Sequence, residues 1–368
     1  MPYTHFRYIG YRVPTAYEDN ARQVVSGWYP GIENAPAVDM IPVPDNVPDD
    51  AQNRLRRLAY VVNLAYAQLQ GRAIADEPDT LKVFVAPEFY FRPYSAGIGY
   101  DNNTYPIGQL TSIYYALRTM FSDRRLERWL IVCGTVMYNN LQESPRSKDF
   151  YYNTAVIVLG GNSVDINDRI YTVEKRAPSL LDGVPVVSGV LAAMSGDPEL
   201  KLIMEGWSNM KNHLLSIDNV RVGVEVCLDH DDRPNCHVLR RTLIQERELS
   251  RSARKSVALH ILTAGGMPIQ PKSVAAKVNG YILRSDGMNG PEPRVQLSQI
   301  TRYDPADFLN RWFGENPGPD TIGAIAQTNR IAQDYIVDIP PVGRIYNPPV
   351  PRIMTQSLFI YPRLQLPE

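Results

Sequence analysis

Three reactive side chains stand where apolar, strand-forming runs give way to polar loops. They are Glu88 in Val85-Ala86-Pro87-Glu88-Phe89-Tyr90, Lys175 in Tyr171-Thr172-Val173-Glu174-Lys175-Arg176-Ala177-Pro178, and Cys227 in Gly223-Val224-Glu225-Val226-Cys227-Leu228-Asp229. A cysteine with an ordinary pKa near ~8.5 is mostly protonated at neutral pH, so it becomes an acyl-transfer nucleophile only beside a base or a positive charge. Glu88 can take the thiol proton. Lys175 can stay cationic and donate a hydrogen bond to the oxygen that turns negative when Cys227 attacks a carbonyl, and the backbone N–H of Leu228 is the expected second donor. This chemistry needs no histidine at the nucleophile, no metal ion and no cofactor.

Such groups must be held at the ends of rigid elements, and the flanking sequence supplies them. Strands are expected over His5 to Val13, Leu81 to Ala86, Leu130 to Tyr138, Thr154 to Leu159, Arg169 to Glu174, Val220 to Val226 and Val257 to Thr263. Leu55, Leu58, Ala59, Val62, Ala65, Tyr66 and Leu69 recur at three- and four-residue steps and predict a long helix with one apolar stripe. Further helices are expected over Leu110 to Arg118 and Cys236 to Lys255. Strands alternating with helices predict a mixed α/β fold.

The chain of 368 residues has enough apolar surface for one large domain or two ordinary ones. Its three cysteines are sparse and odd in number, which argues for reduced thiols, and the amino terminus lacks the pattern of a secretory signal, so a cytoplasmic protein is expected. The net charge of −1, with Lys and Arg interleaved among acids, gives no footprint for nucleic acid, and the apolar runs are too short for a membrane span. The expected partner is a small-molecule substrate.

The three motifs together resemble the nitrilase, or carbon–nitrogen hydrolase, superfamily and its Glu-Lys-Cys triad. The apolar strand ending in Pro87-Glu88 matches the first motif, Tyr171, Lys175 and Pro178 the second, and Gly223, Cys227, Asp229 and Pro234 the third. Ile131-Val132-Cys133-Gly134, Tyr152-Asn153-Thr154-Ala155 and Gly160-Gly161 add to the likeness, which covers roughly Tyr3 to Ile300. The resemblance implies a four-layer α-β-β-α sandwich, usually paired as a homodimer or higher homo-oligomer. It also implies a second glutamate. Glu205, in Glu205-Gly206-Trp207, is similar to the Glu-Gly-Trp of aliphatic amidases and takes that role, with Leu180 to Met204 read as an insertion; Asp182 is the other carboxylate after Lys175. Cys227-Leu228-Asp229 follows the amidase and carbamoylase pattern, so amide or carbamoyl hydrolysis is expected ahead of nitrile hydrolysis or acyl transfer to an amine.

Tyr90, Trp207 and Asp229 are expected at the substrate pocket, together with Phe89 and Phe91, although Asp229 also suits a role in holding the loop after the nucleophile. Taken singly, Glu88 reads as a loop-binding carboxylate, Lys175 as a surface lysine and Cys227 as a small buried residue; it is their order and shared context that argue for chemistry. Two rivals are a catalytically retired member that binds a ligand or partner, and a papain-like pair of Cys227 with His260. Cys133 is expected in a core strand and Cys236 in a buried helix, and the run Asp229-His230-Asp231-Asp232 as a polar loop rather than an ion site. Residues 1–302 are read as the hydrolase domain and 303–368 as a Pro-rich extension packing on it or on a neighbouring subunit. Its Pro340-Pro341, Pro348-Pro349 and Pro351 predict extended chain without regular internal structure.

Overall fold

The computed structural model describes residues 2–18, 24–26, 47, 49–74, 77–93, 104–139, 151–162, 169–177, 213–233, 236–249, 257–288, 294–305, 317–319, 321, 323–339 and 356–368. The first half comprises β1 (His5–Arg12), the short pair β2 (Ala16–Glu18) and β3 (Val24–Ser26), α1 (Asp49–Gln70), β4 (Thr80–Val85), β5 (Tyr105–Pro106), α2 (Ile107–Met120), β6 (Trp129–Asn139), β7 (Tyr151–Leu159) and β8 (Ile170–Glu174). The second comprises β9 (Leu214–Ile217), β10 (Val220–Val226), α3 (Val238–Leu249), β11 (Val257–Ala264), β12 (Ala276–Asp286), β13 (Val295–Asp304), β14 (Ile325–Ile331), β15 (Tyr335–Ile339) and β16 (Gln356–Gln365).

Among the described residues these strands build two large sheets. One has eight strands in the order β15-β16-β1-β4-β6-β7-β8, with β5 paired to β6, and the other has six in the order β14-β13-β12-β11-β10-β9. The centre of each is parallel, through β1, β4 and β6 in one and β10, β11 and β12 in the other. Such strands are buried on both faces, and every residue of β4 and β11 is buried, most of them apolar.

Side-chain alternation along each strand sorts two cores. Leu81, Val83 and Val85 of β4 join Val222, Val224 and Val226 of β10 in the core containing the facing sides of both sheets. Phe84 and Ala86 turn the other way and pack with Leu55, Leu58, Ala59, Val62, Ala65 and Leu69 of α1 and with Ile113, Ala116 and Leu117 of α2. A smaller cluster seats Leu239 and Leu243 of α3 on Val257 and Ala275. Among the described residues the fold is therefore mixed α/β with two large sheets and one two-stranded pair. Among the described residues no helix is long and apolar enough to cross a membrane.

The tail departs from the sequence-based expectation of irregular extended chain. β16 lies between β1 and β15, β15 pairs with β16, and β14 closes the edge of the six-stranded sheet. The reason is burial: Leu358, Ile360 and Tyr361 are at most 1% exposed, and an apolar strand gains more from a sheet than from solvent. Pro362, which cannot donate to a ladder, falls within the register shift between the Arg7↔Arg363 and Ile9↔Ile360 pairs, an irregularity that tolerates proline. The prolines that prompted the expectation lie at 340–351, outside the described residues. β13 runs through residue 302, and the strands beyond it enter both sheets.

Candidate active site

Glu88 follows β4 in a turn that must bend sharply out of the sheet. Phe89 takes a left-handed φ of 62°, and its N–H donates to Thr135 Oγ1 at 2.8 Å, which fixes the turn against β6. Two glycines make the space. At Gly134, with φ 79°, a Cβ would fall 2.4 Å from the Pro87 carbonyl oxygen, and at Gly265 one would fall 2.7 Å from the Phe89 ring. The Glu88 N–H reaches the carbonyl of Ala264 at 3.3 Å, so the turn is also tied to the end of β11 in the opposite sheet.

Lys175 comes directly after β8, its own N–H donating to the carbonyl of Asn153 at 2.8 Å. Its side chain is buried, and Nζ lies 2.9 Å from Glu88 Oε1 and 5.9 Å from the centroid of the Phe89 ring. Asn153 Nδ2 donates to the same Glu88 oxygen at 2.8 Å. A charged pair withdrawn from water keeps its charges only with close geometry and further hydrogen bonds, and this pair has both. Asn153 was noted in the sequence only as part of a matching tetrapeptide; the one amide side chain of β7 was the signal for its role.

Cys227 directly follows β10 and begins a single 3-10 turn, Cys227–His230. Its φ is 47°, a left-handed conformation that costs a non-glycine residue about 1–3 kcal/mol and persists only where neighbouring contacts hold it. It is buried in the core that joins the two sheets, and Leu228 packs against the same cluster. Asp229 supplies the connection to the lysine. Its Oδ1 accepts from the backbone N–H groups of Arg176 at 2.8 Å and Ala177 at 2.7 Å, the two residues immediately after Lys175. Burial, only partly opposed by the Ala177 hydrogen bond and Lys175, pushes the Asp229 carboxyl up to about 8. The nucleophile turn and the lysine segment are thus clasped by one buried carboxyl.

The other expected residues distribute as follows. Tyr90 is buried in the core with α1, its hydroxyl donating to the carbonyl of Arg54 at 3.2 Å, and Phe91 joins the same core. Among the described members of that aromatic set, Phe89 approaches Lys175. Glu205, Trp207, Asp182, Pro178 and Pro234 lie outside the described residues. Cys133 is in β6, and burial pushes its thiol well up; Cys236 sits just before α3 rather than within a helix, its thiol pushed up to about 11 by burial and then by Asp231. The acidic run disperses: His230 turns to Glu225, Asp231 to Arg233, and Asp232 lies 3.6 Å from Lys272. Both ring nitrogens of His260 are taken, by Glu225 Oε2 and the Ala275 N–H, which leaves the papain-like pairing with Cys227 without a base.

No protein-family model matches this chain, and no curated protein matches it. Among solved structures it is similar to an amidase from Nesterenkonia sp., at 11% identity and TM-score 0.39, over 98% of this chain and 92% of that one. A cysteine-to-alanine mutant of the Nesterenkonia AN1 amidase, described as from the nitrilase superfamily, gives 10% identity and TM-score 0.38 over 98% and 91%. A glutamate-to-glutamine mutant of that amidase, with the acetamide moiety of fluoroacetamide added covalently at its active-site cysteine, gives 12% and 0.37 over 88% and 89%. At these values the likeness is faint, and the site's own geometry has to carry the chemistry.

Proposed function

We propose that this protein is a thiol hydrolase of the nitrilase type that cleaves a non-peptide C–N bond, amide or carbamoyl, of a small molecule. The observation that carries the reading is the buried Lys175–Glu88 pair at 2.9 Å, clasped through Asp229 to the strained turn that presents Cys227. The helices on the outer face of each sheet support a four-layer α-β-β-α sandwich around it.

In this mechanism the Cys227 thiol gives its proton to Glu88 and attacks the amide carbon. Lys175 Nζ and the Leu228 N–H stabilise the tetrahedral oxyanion. Glu88 passes the proton to the departing amine, leaving a thioester on Cys227, then takes a proton from the water that attacks it, so that the acid is released and the thiol restored. The Cys227-Leu228-Asp229 sequence favours amides over nitriles as substrates.

The test is intact-mass spectrometry after exposure to a panel of amides, carbamoyl compounds and nitriles. A covalent acyl adduct is expected that maps to Cys227, disappears in Cys227→Ala and survives in Cys236→Ala. Turnover that persists in Cys227→Ala, or an inactivating adduct on Cys133 or Cys236, refutes the assignment.

A further inference from the structure

On the α3 side of the six-stranded sheet, behind the nucleophile turn, three buried ionisable side chains that the proposed chemistry leaves unused meet at one oxygen. Glu225 Oε2 lies 2.6 Å from His230 Nδ1 and 3.0 Å from His260 Nε2, while Oε1 accepts from the backbone N–H of Leu239 at 2.7 Å. All three side chains are fully buried. Leu239 lies in the first turn of α3, where unpaired amides and the helix dipole favour an anion. It can come this close because residue 223 is glycine: a Cβ there would fall 2.3 Å from Leu239 Cδ2.

The group has the composition of a metal site, with candidate ligand atoms within 4.8 Å of one another. The directions of its hydrogen bonds speak against an ion. His230 Nε2 faces the N–H of Gln270 at 3.1 Å, and His260 Nδ1 faces the N–H of Ala275 at 3.1 Å. An amide N–H can only donate, so each of those ring nitrogens is the unprotonated acceptor and the proton of each imidazole sits on the nitrogen facing Glu225. Neither of those nitrogens then has a lone pair for an ion, and ligation would turn an imidazole N–H against an amide N–H, the reverse of the usual support for a metal-bound histidine. What remains is a carboxylate accepting three N–H groups. Burial alone would push Glu225 up, but His260 and His230 outweigh it and hold the carboxyl well below its usual range; burial pushes His230 down, towards the neutral form.

We propose that Glu225, His230 and His260 form a proton-ordered brace that holds Cys227 in its left-handed conformation and so positions the thiol, an inference that rests on Cys227 being the nucleophile. Glu225 stands two residues before Cys227 and His230 three after it, so their hydrogen bond closes the chain around the strained residue. His260, paired opposite Gly223 on the neighbouring parallel strand, and the start of α3 hold Glu225 from outside the turn. Inside the turn, Asp229 grips the lysine segment. The brace sets where the thiol sits, and the clasp sets where the ammonium sits relative to it.

The test uses the full chain and iodoacetamide, with the rate at each cysteine read by peptide mapping. Glu225→Gln keeps the shape but turns one acceptor into a donor that must face an N–H. The ratio of Cys227 to Cys236 alkylation is expected to fall by roughly 10- to 100-fold, the scale of a ~1 Å misplacement at a reacting atom. General loosening would speed both thiols, so a ratio that is unchanged or rises overturns the brace. A second readout needs no variant: nitrogen NMR of histidine-labelled wild-type protein is expected to show His230 protonated at Nδ1 and His260 at Nε2. The opposite tautomers, or a stoichiometric divalent ion in the purified protein that Glu225→Gln removes, overturn it too. A wild-type Cys227 no faster than Cys236 counts instead against the nucleophile assignment, while the tautomers still decide the brace.

Discussion

Lys175→Met removes the ammonium and keeps most of the buried stem, so it isolates the charge. The Glu88 carboxylate, fully buried, then loses the cation that sits 2.9 Å from it. Breaking a buried pair by deleting one partner costs about 3–5 kcal/mol, because the other charge stays desolvated. Glu88→Gln is the mirror case: its carbonyl can still accept from Lys175 and Asn153, but a cation is left against a neutral partner, and a loss of the same order is expected. The double variant Glu88→Gln/Lys175→Met buries neither charge. Replacing a buried ion pair by hydrophobic groups of similar volume is often neutral or stabilising by about 1–4 kcal/mol; with a buried amide still present at 88, the double variant is expected to regain most of what either single variant loses. Activity should not follow. Loss of an oxyanion donor costs about 100-fold or more in kcat; each single variant lacks either the cation or the proton carrier, and the double variant lacks both. The assay is urea unfolding followed by tryptophan fluorescence, with four tryptophans in the chain, beside the rate of adduct formation at Cys227. Destabilisations that simply add in the double variant, or activity that returns with stability, would refute a buried, catalytically required Lys175–Glu88 pair.

Three further outcomes follow, one from the clasp and two from the tail. The Asp229 carboxyl is raised to about 8 in the folded chain, against about 4 when unfolded, so its contribution to stability is full below pH ~4 and is lost as pH rises towards 8. Asp229→Asn, which keeps the acceptor for Arg176 and Ala177, should gain on wild type progressively across that window in thermal melts; a difference independent of pH would contradict this. Ile360→Ala, at a fully buried position of β16, should cost about 2–5 kcal/mol, and truncation after Arg302, which removes three strands from two sheets, should abolish cooperative unfolding. A truncated protein that kept the wild-type melting temperature would show those strands to be dispensable.

Local sequence was enough to place Glu88, Lys175 and Cys227 at the ends of strands, because β-branched and apolar residues cluster or alternate along each run and polar loop residues follow. It was enough for α1 as well, since the three- and four-residue spacing of its leucines and alanines is the helix period itself. Val220–Val226 was legible to the residue because its valines at 220, 222, 224 and 226 alternate at the two-residue period of a strand. β12 was not: the Val278-Asn279-Gly280 stretch inside it reads as a turn, and only the register shift opposite β11 shows that it bulges from a continuing strand. β16 was hidden by neighbouring prolines and by distance, since its partner β1 lies at the other end of the chain and pairing at that separation leaves no local mark. The same limit applies to the site. The sequence supplied a carboxylate, an ammonium and a thiol in order, but only the tertiary structure decided that Asn153 joins Lys175 on one oxygen of Glu88, that Asp229 clasps the lysine segment, and that His230 and His260 meet one oxygen of Glu225. Those facts depend on which backbone amides and carbonyls from distant strands face each side chain, and that is set when the two sheets pack.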